Sequence, residues 1–227
     1  MNWELHQPDF PDGPTAISSW VVNGRLAMGY YPGMLRRKVV PAVLDELLDG
    51  GFDAFVNLTQ DYPGGTDKHL TPFYRLPDDS DGAPLVRDGR HEGKSVNVAF
   101  HPVPDEHLPG CNLQDSSAAR SRCCVDGYGE GQVSCGEGRP VPATQTILDD
   151  LDDLLERGRK VYVHCWGGSG RTGTVIGCWI RRHDLVGADE ILYCLQRLRE
   201  GDSVKGGLAI PQNPPQVTLV ESWQPGW

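Results

Sequence analysis

Three observations predict an α/β fold: a central, mostly parallel sheet flanked by helices, with loop-rich insertions. Short β-prone apolar runs alternate with amphipathic helical stretches along the chain. The runs at 52–58 and 160–164 read as buried strands. A length of 227 residues suits one such domain with insertions, and 38% hydrophobic residues suffice for its core. With 28 glycines and 18 prolines, long loops between the ordered elements are expected.

The elements follow in order. After a polar, Pro-rich lead, residues 20–29 read as a hairpin around Asn23-Gly24, a pair that accepts the positive φ of a tight turn. Residues 41–48 make a short helix with Pro41 at its start and Gly50-Gly51 at its end. The segment 60–93 is rich in Asp, Gly and Pro and reads as loop. Residues 95–103 alternate as a strand, which Pro104-Asp105 ends. The stretch 111–140 has little apolar content and no period, as an insertion would. Residues 144–157 place Ile147, Leu148, Leu151, Leu154 and Leu155 on one helical face. A strand at 160–164, a Gly-rich loop at 165–170 and a helix at 171–182 follow, then helices near 188–199 and 214–223.

Charge narrows the partners. The net charge of −10 argues against a nucleic-acid-binding protein and against docking on anionic membranes, since both need clustered Lys and Arg. No apolar run approaches the ~20 residues of a bilayer span. The N-terminus shows neither a basic start nor an apolar stretch, so the cytoplasm is the expected compartment. There the seven cysteines would stay thiols.

The informative segment runs Val161-Tyr162-Val163-His164-Cys165-Trp166-Gly167-Gly168-Ser169-Gly170-Arg171-Thr172-Gly173. A buried strand delivers a cysteine to a tight loop, and the loop opens into a helix. Its glycines let the backbone approach a ligand, and successive N–H groups with the helix dipole form an anion nest. Arg171, at the helix start, can hold two phosphoryl oxygens with its planar fork. The same surroundings would ionise the sulfur. A free thiol with pKa ~8.5 is only about 3% thiolate at pH 7, and a shift of three units takes roughly 4 kcal/mol of differential stabilisation. A buried, inert cysteine has no use for such a loop and arginine.

His-Cys, five residues, then Arg-Thr-Gly resembles the protein tyrosine/dual-specificity phosphatase superfamily, and 163–179 looks like its bacterial and compact dual-specificity branch. Weaker similarity runs through 20–29, 55–59 and 211–223. The resemblance implies a single phosphatase-like domain over 1–227, with 111–140 as a cysteine-containing insertion loop. It implies that Cys165 attacks phosphorus, that Trp166, Gly167, Gly168, Ser169, Gly170 and Arg171 bind the phosphoryl group, and that Thr172 hydrogen-bonds the sulfur. His164 would orient the loop, and Trp166 would wall the pocket. For the general acid, Asp105 in Phe100-His101-Pro102-Val103-Pro104-Asp105 fits best, with Asp78, Asp79, Asp81 and Glu106 as rivals. Gln216, with Gln212 second, would position the hydrolytic water; either could instead be an exposed residue at a helix N-terminus.

No cofactor or metal is implied. The four cysteines Cys111, Cys123, Cys124 and Cys135 lack the spacing of zinc knuckles, so free thiols in a mobile loop compete there with zinc and with disulfides. Cys178 and Cys194 sit at apolar helical positions and read as core. Because the insertion leaves the acid loop, it is expected to cap the site. The expected reaction is hydrolysis of a phosphate monoester on a protein or small molecule. The alternatives are a catalytically silent phospho-binding module and a rhodanese-type sulfurtransferase. The loop interior carries no Lys or Arg, which disfavours polyphosphorylated inositols and favours phosphotyrosine, with or without phosphoserine and phosphothreonine.

Overall fold

The Asn23-Gly24 turn, with Gly24 at φ +70°, folds β1 (Ser18–Val22) back on β2 (Leu26–Gly29) as an antiparallel pair. The computed structural model describes residues 3–6, 13–33, 43–76, 82–110, 142–204 and 206–227. In chain order there follow α1 (Val43–Asp49), β3 (Ala54–Asn57), β4 (Tyr74–Arg75), β5 (Leu85–Val86) and β6 (Asn97–Phe100). The second half holds α2 (Pro142–Glu156), β7 (Val161–His164), α3 (Gly170–Arg182), α4 (Ile191–Arg199) and α5 (Pro214–Ser222).

Five strands form one sheet in the order β1-β2-β7-β3-β6, parallel throughout except at β1. Period-two alternation sorts its side chains onto two faces. Leu26, Met28, Ala54, Val56, Val161 and Val163 join a core with the apolar faces of α2, α3, α4 and α5. Ala27, Phe55 and Tyr162 point the other way, into a smaller core with α1 and the rings of Phe52 and Phe73. The predicted α/β class and mostly parallel sheet are thus what the chain adopts.

β7 is the central strand, hydrogen-bonded to β2 on one side and β3 on the other. Its carboxyl end is where open parallel sheets place their sites. The segment 60–93 is more than loop: β4 and β5 pair in a small antiparallel sheet that buries Phe73 and Val86. Two-residue strands are too short to show a period. The helix expected over 41–48 is α1, whose first two expected residues lie outside the described ones. Outside them as well lie the insertion at 111–140 with Cys111, Cys123, Cys124 and Cys135, and the candidate acids Asp78, Asp79 and Asp81. Cys178 is buried in the main core and Cys194 packs against it, as apolar helical positions require. No helix among the described residues is long and apolar enough to cross a membrane.

Candidate active site

All four residues of β7 are buried, and the pairing on both sides fixes where the strand ends. It delivers Cys165, itself buried, to a loop that enters α3 at Gly170. Gly168 adopts φ +65°, and a Cβ there would lie 2.6 Å from the carbonyl carbon of Gly29. Only glycine lets the loop press so closely on the end of β2. Ser169 stands at the N-cap but makes no side-chain cap; its hydroxyl donates to Gly167 O at 3.2 Å. The first amides of α3 are therefore not taken up by that hydroxyl, and the dipole adds partial positive charge at the same end.

Arg171 is buried within the cradle. Its Nη1 and Nη2 donate to Asp67 Oδ2 and Oδ1 at 2.6 and 3.0 Å, a two-pronged pair with both side chains 1% exposed. Nη1 also donates to Val103 O at 2.9 Å, and Nη2 lies 2.8 Å from Asp105 Oδ1. Burial on its own would lower the guanidinium's proton affinity. The hydrogen bonds to Asp67 and the electrostatic pull of the neighbouring Cys165, Asp67 and Asp105 side chains outweigh it, so the pKa stays above the ordinary arginine value. Burial likewise would raise Asp67, but Arg171, the Gln60 amide and the Thr66 hydroxyl hold its carboxyl below the usual range.

Asp105 stands on the loop after β6 and keeps its side chain 44% exposed. Its N–H donates to Thr66 Oγ1 at 3.0 Å, and its carbonyl accepts from His107 Nδ1 at 2.6 Å. Asn213 Nδ2, from the N-cap of α5, donates to Glu106 O at 2.9 Å. Gln216 Nε2 reaches His107 O at 3.4 Å, and its Oε1 accepts from the Gln212 amide at 3.3 Å. A Cβ on Gly170 would meet Gln212 Oε1 at 2.9 Å and Gln216 Nε2 at 3.0 Å, so both glutamines converge on the start of α3. Gln216 is fully buried, which overturns the reading of it as an exposed helix residue.

His164 is buried among the rings of Tyr31, Phe73 and Tyr162. Burial, with Arg171 acting in the same direction, pushes its pKa down to about 3, so the imidazole is neutral near pH 7. Trp166 is 41% exposed at the rim, its carbonyl accepting from the Tyr31 amide and its ring edge-on to His69. The Thr172 hydroxyl is buried and hydrogen-bonds none of the described residues, Cys165 included.

A family model described as a polymorphic toxin system DSP-PTPase phosphatase matches residues 139–184, which take in α2, β7, the loop and α3. The triple specificity protein phosphatase PtpB of Mycobacterium tuberculosis is 31% identical over 152 residues, covering 63% of this chain and 46% of PtpB. The dual specificity protein phosphatase CDC14B of Mus musculus is 34% identical over 61 residues, 26% of this chain and 13% of that protein. The fold is also that of kinase associated phosphatase, solved with a serine in place of its catalytic-site cysteine. The TM-score is 0.51 at 18% identity, over 86% of this chain and 83% of that one. These matches make the chain similar to the protein tyrosine/dual-specificity phosphatase superfamily, most firmly over residues 139–184. It spans less than half the length of the curated relatives it matches.

Against that superfamily's motif, the structure brings Cys165, Arg171, Asp105 and Gln216 to one place, with Glu106 beside Asp105 on the same loop. The two residues that sequence reasoning missed are Asp67 and Arg199. Asp67 lies in Pro63-Gly64-Gly65-Thr66-Asp67, soon after β3; an acid near a turn at a strand's carboxyl end was the available signal. Arg199 continues the buried Ile191 and Leu195 stripe of α4 at i, i+4 spacing, where a cation is out of place unless it has a task.

Proposed function

We propose that this chain hydrolyses phosphate monoesters in two steps through a phosphocysteine at Cys165. The observation that carries the reading is the convergence on Arg171: a buried guanidinium fixed by Asp67, beside a buried cysteine at a helix N-terminus, with the Asp105 carboxyl 2.8 Å away. In the first step the Cys165 thiolate forms a bond to phosphorus. The P–O bond to the leaving group breaks, and a protonated Asp105 gives that oxygen its proton. The loop amides and Arg171 hold the phosphoryl oxygens and stabilise their charge. In the second step water attacks phosphorus, Asp105 takes a proton back, and the P–S bond breaks to return thiolate and inorganic phosphate. Gln216 orients that water from its place over Gly170, and the Thr172 hydroxyl, buried without another partner among the described residues, turns toward the departing sulfur. His164, neutral and enclosed by rings, shapes the loop and moves no proton.

The substrate is a phosphorylated protein or a small phosphate monoester, and phosphotyrosine suits the aromatic rim at Trp166 and His69. A working thiolate fits a reducing cytoplasm. Phosphate release from aryl phosphate, phosphopeptides, sugar phosphates and nucleotides tests the reading. Turnover that vanadate inhibits and Cys165→Ser abolishes is expected; phosphate release unchanged in Cys165→Ser, or cyanide-dependent thiocyanate formation instead, would overturn it.

A further inference from the structure

Arg199 is the second arginine buried at this site, and the reaction above gives it no part. It ends α4, is 2% exposed, and donates from Nη1 to Gly168 O at 3.2 Å. Its Nη2 lies 3.6 Å from Asp202 Oδ2, an acid that is itself buried. Gly168 is the loop residue at positive φ, wedged against the Gly29 carbonyl. One side of that peptide is thus set by the end of β2 and the other by a guanidinium from α4.

A loop that binds anions through its amides must keep its carbonyl oxygens out of the nest, because each presents negative charge to the ligand. A carbonyl bonded to a buried cation is held away from the ligand more firmly than one bonded to water, since charged hydrogen bonds are stronger and the low dielectric favours them. The cation also adds positive potential close to the thiolate. Burial lowers the proton affinity of Arg199, and the nearby Asp202 carboxylate works against that loss, with Tyr30 and Cys165 close enough to act in the same direction.

We infer that Arg199 is a positioning residue of the phosphatase cradle: by binding the Gly168 carbonyl it keeps the loop amides aimed inward, and so it sets oxyanion affinity and turnover. This rests on the phosphatase reading. The alternative is a packing role, in which Arg199 and Asp202 merely fill the space behind the loop.

Tungstate inhibition and the kcat and KM for an aryl phosphate, measured on the full chain, separate the two. Arg199→Met is expected to weaken tungstate inhibition and lower kcat by about tenfold each, the scale of one charge-assisted hydrogen bond, in protein that stays folded by circular dichroism. Arg199→Lys keeps the charge opposite Asp202 but loses the fork, so its tungstate affinity should fall between wild type and Arg199→Met with the unfolding midpoint unchanged. If Arg199→Met does not fold, Arg199→Lys decides. Wild-type tungstate affinity in the folded fraction of either variant overturns the inference, whatever happens to stability. A wild-type chain that ignores tungstate defeats the phosphatase reading itself, and this inference with it. An active, tungstate-inhibited wild type with indifferent Arg199 variants removes this inference alone.

Discussion

The loop 165–171 and the side chains around it are built in opposite ways. The loop is contiguous: one strand, three glycines and one helix start make an anion nest from neighbouring residues. Its surroundings come from four distant places. Asp67 arrives from the segment after β3, Asp105 from the turn after β6, Arg199 from the end of α4 and Gln216 from α5. The lesson is a division of labour. On the proposed reading, local backbone geometry would bind the phosphoryl group, while long-range packing places the groups that orient the arginine and would handle the protons.

That division can be tested from the outside inward. Asp105 is rim-exposed and contributes no core packing, so Asp105→Asn should lower kcat for an alkyl phosphate by ~10²–10⁴ with little change in stability. The loss should shrink for a leaving group that needs no proton. Equal losses on both substrates would place the acid at another residue, with Glu106 the next to replace.

Asp67→Asn strikes the opposite kind of residue. It leaves the Arg171 guanidinium buried without its two-pronged carboxylate, and breaking a buried pair from one side costs about 3–5 kcal/mol. Urea unfolding should show that loss together with a raised KM. A normal midpoint would mean that Val103 O and Asp105 hold Arg171 unaided.

His164 tests the loop's own foundation through pH, by a small effect per unit. Its folded pKa of about 3 lies below its ordinary 6.5, so between those values the unfolded chain binds the extra proton. Its contribution to stability is therefore full above 6.5 and declines as pH falls toward 3, by at most about 1.4 kcal/mol per pH unit. A His164→Gln chain should lose stability less steeply through that window in urea titrations. Parallel slopes would show that the imidazole titrates normally in the folded protein.

The same division explains what the sequence disclosed. Strand, glycines and arginine within 161–173 announce the cradle because the physics there is local. The α/β class was legible from the alternation of apolar runs with amphipathic helices, and the Asn23-Gly24 turn from its dipeptide. Asp105 was legible as an acid closing a strand, although nothing in its neighbourhood foretold the contact with Arg171. Asp67 was hidden because 60–93 shows no period: its order comes from the Asp67 carboxylate accepting the Gln60 amide and from two-residue strands. For Gln216 the exposed alternative stayed open because a helix N-terminus usually faces water; in the structure its Nε2 reaches His107 O on the loop after β6. Arg199 reads as surface charge until the Ile191 and Leu195 stripe is counted through to it.

The central claim is that Cys165 carries the phosphoryl group between the two steps. Rapid denaturation during turnover of an aryl phosphate, followed by mass analysis of the peptide spanning residue 165, observes this directly. A phosphoryl adduct on the Cys165 sulfur, absent without substrate, is the predicted result. Steady phosphate release with that sulfur unmodified, and undiminished in the Cys165→Ser chain, would contradict it.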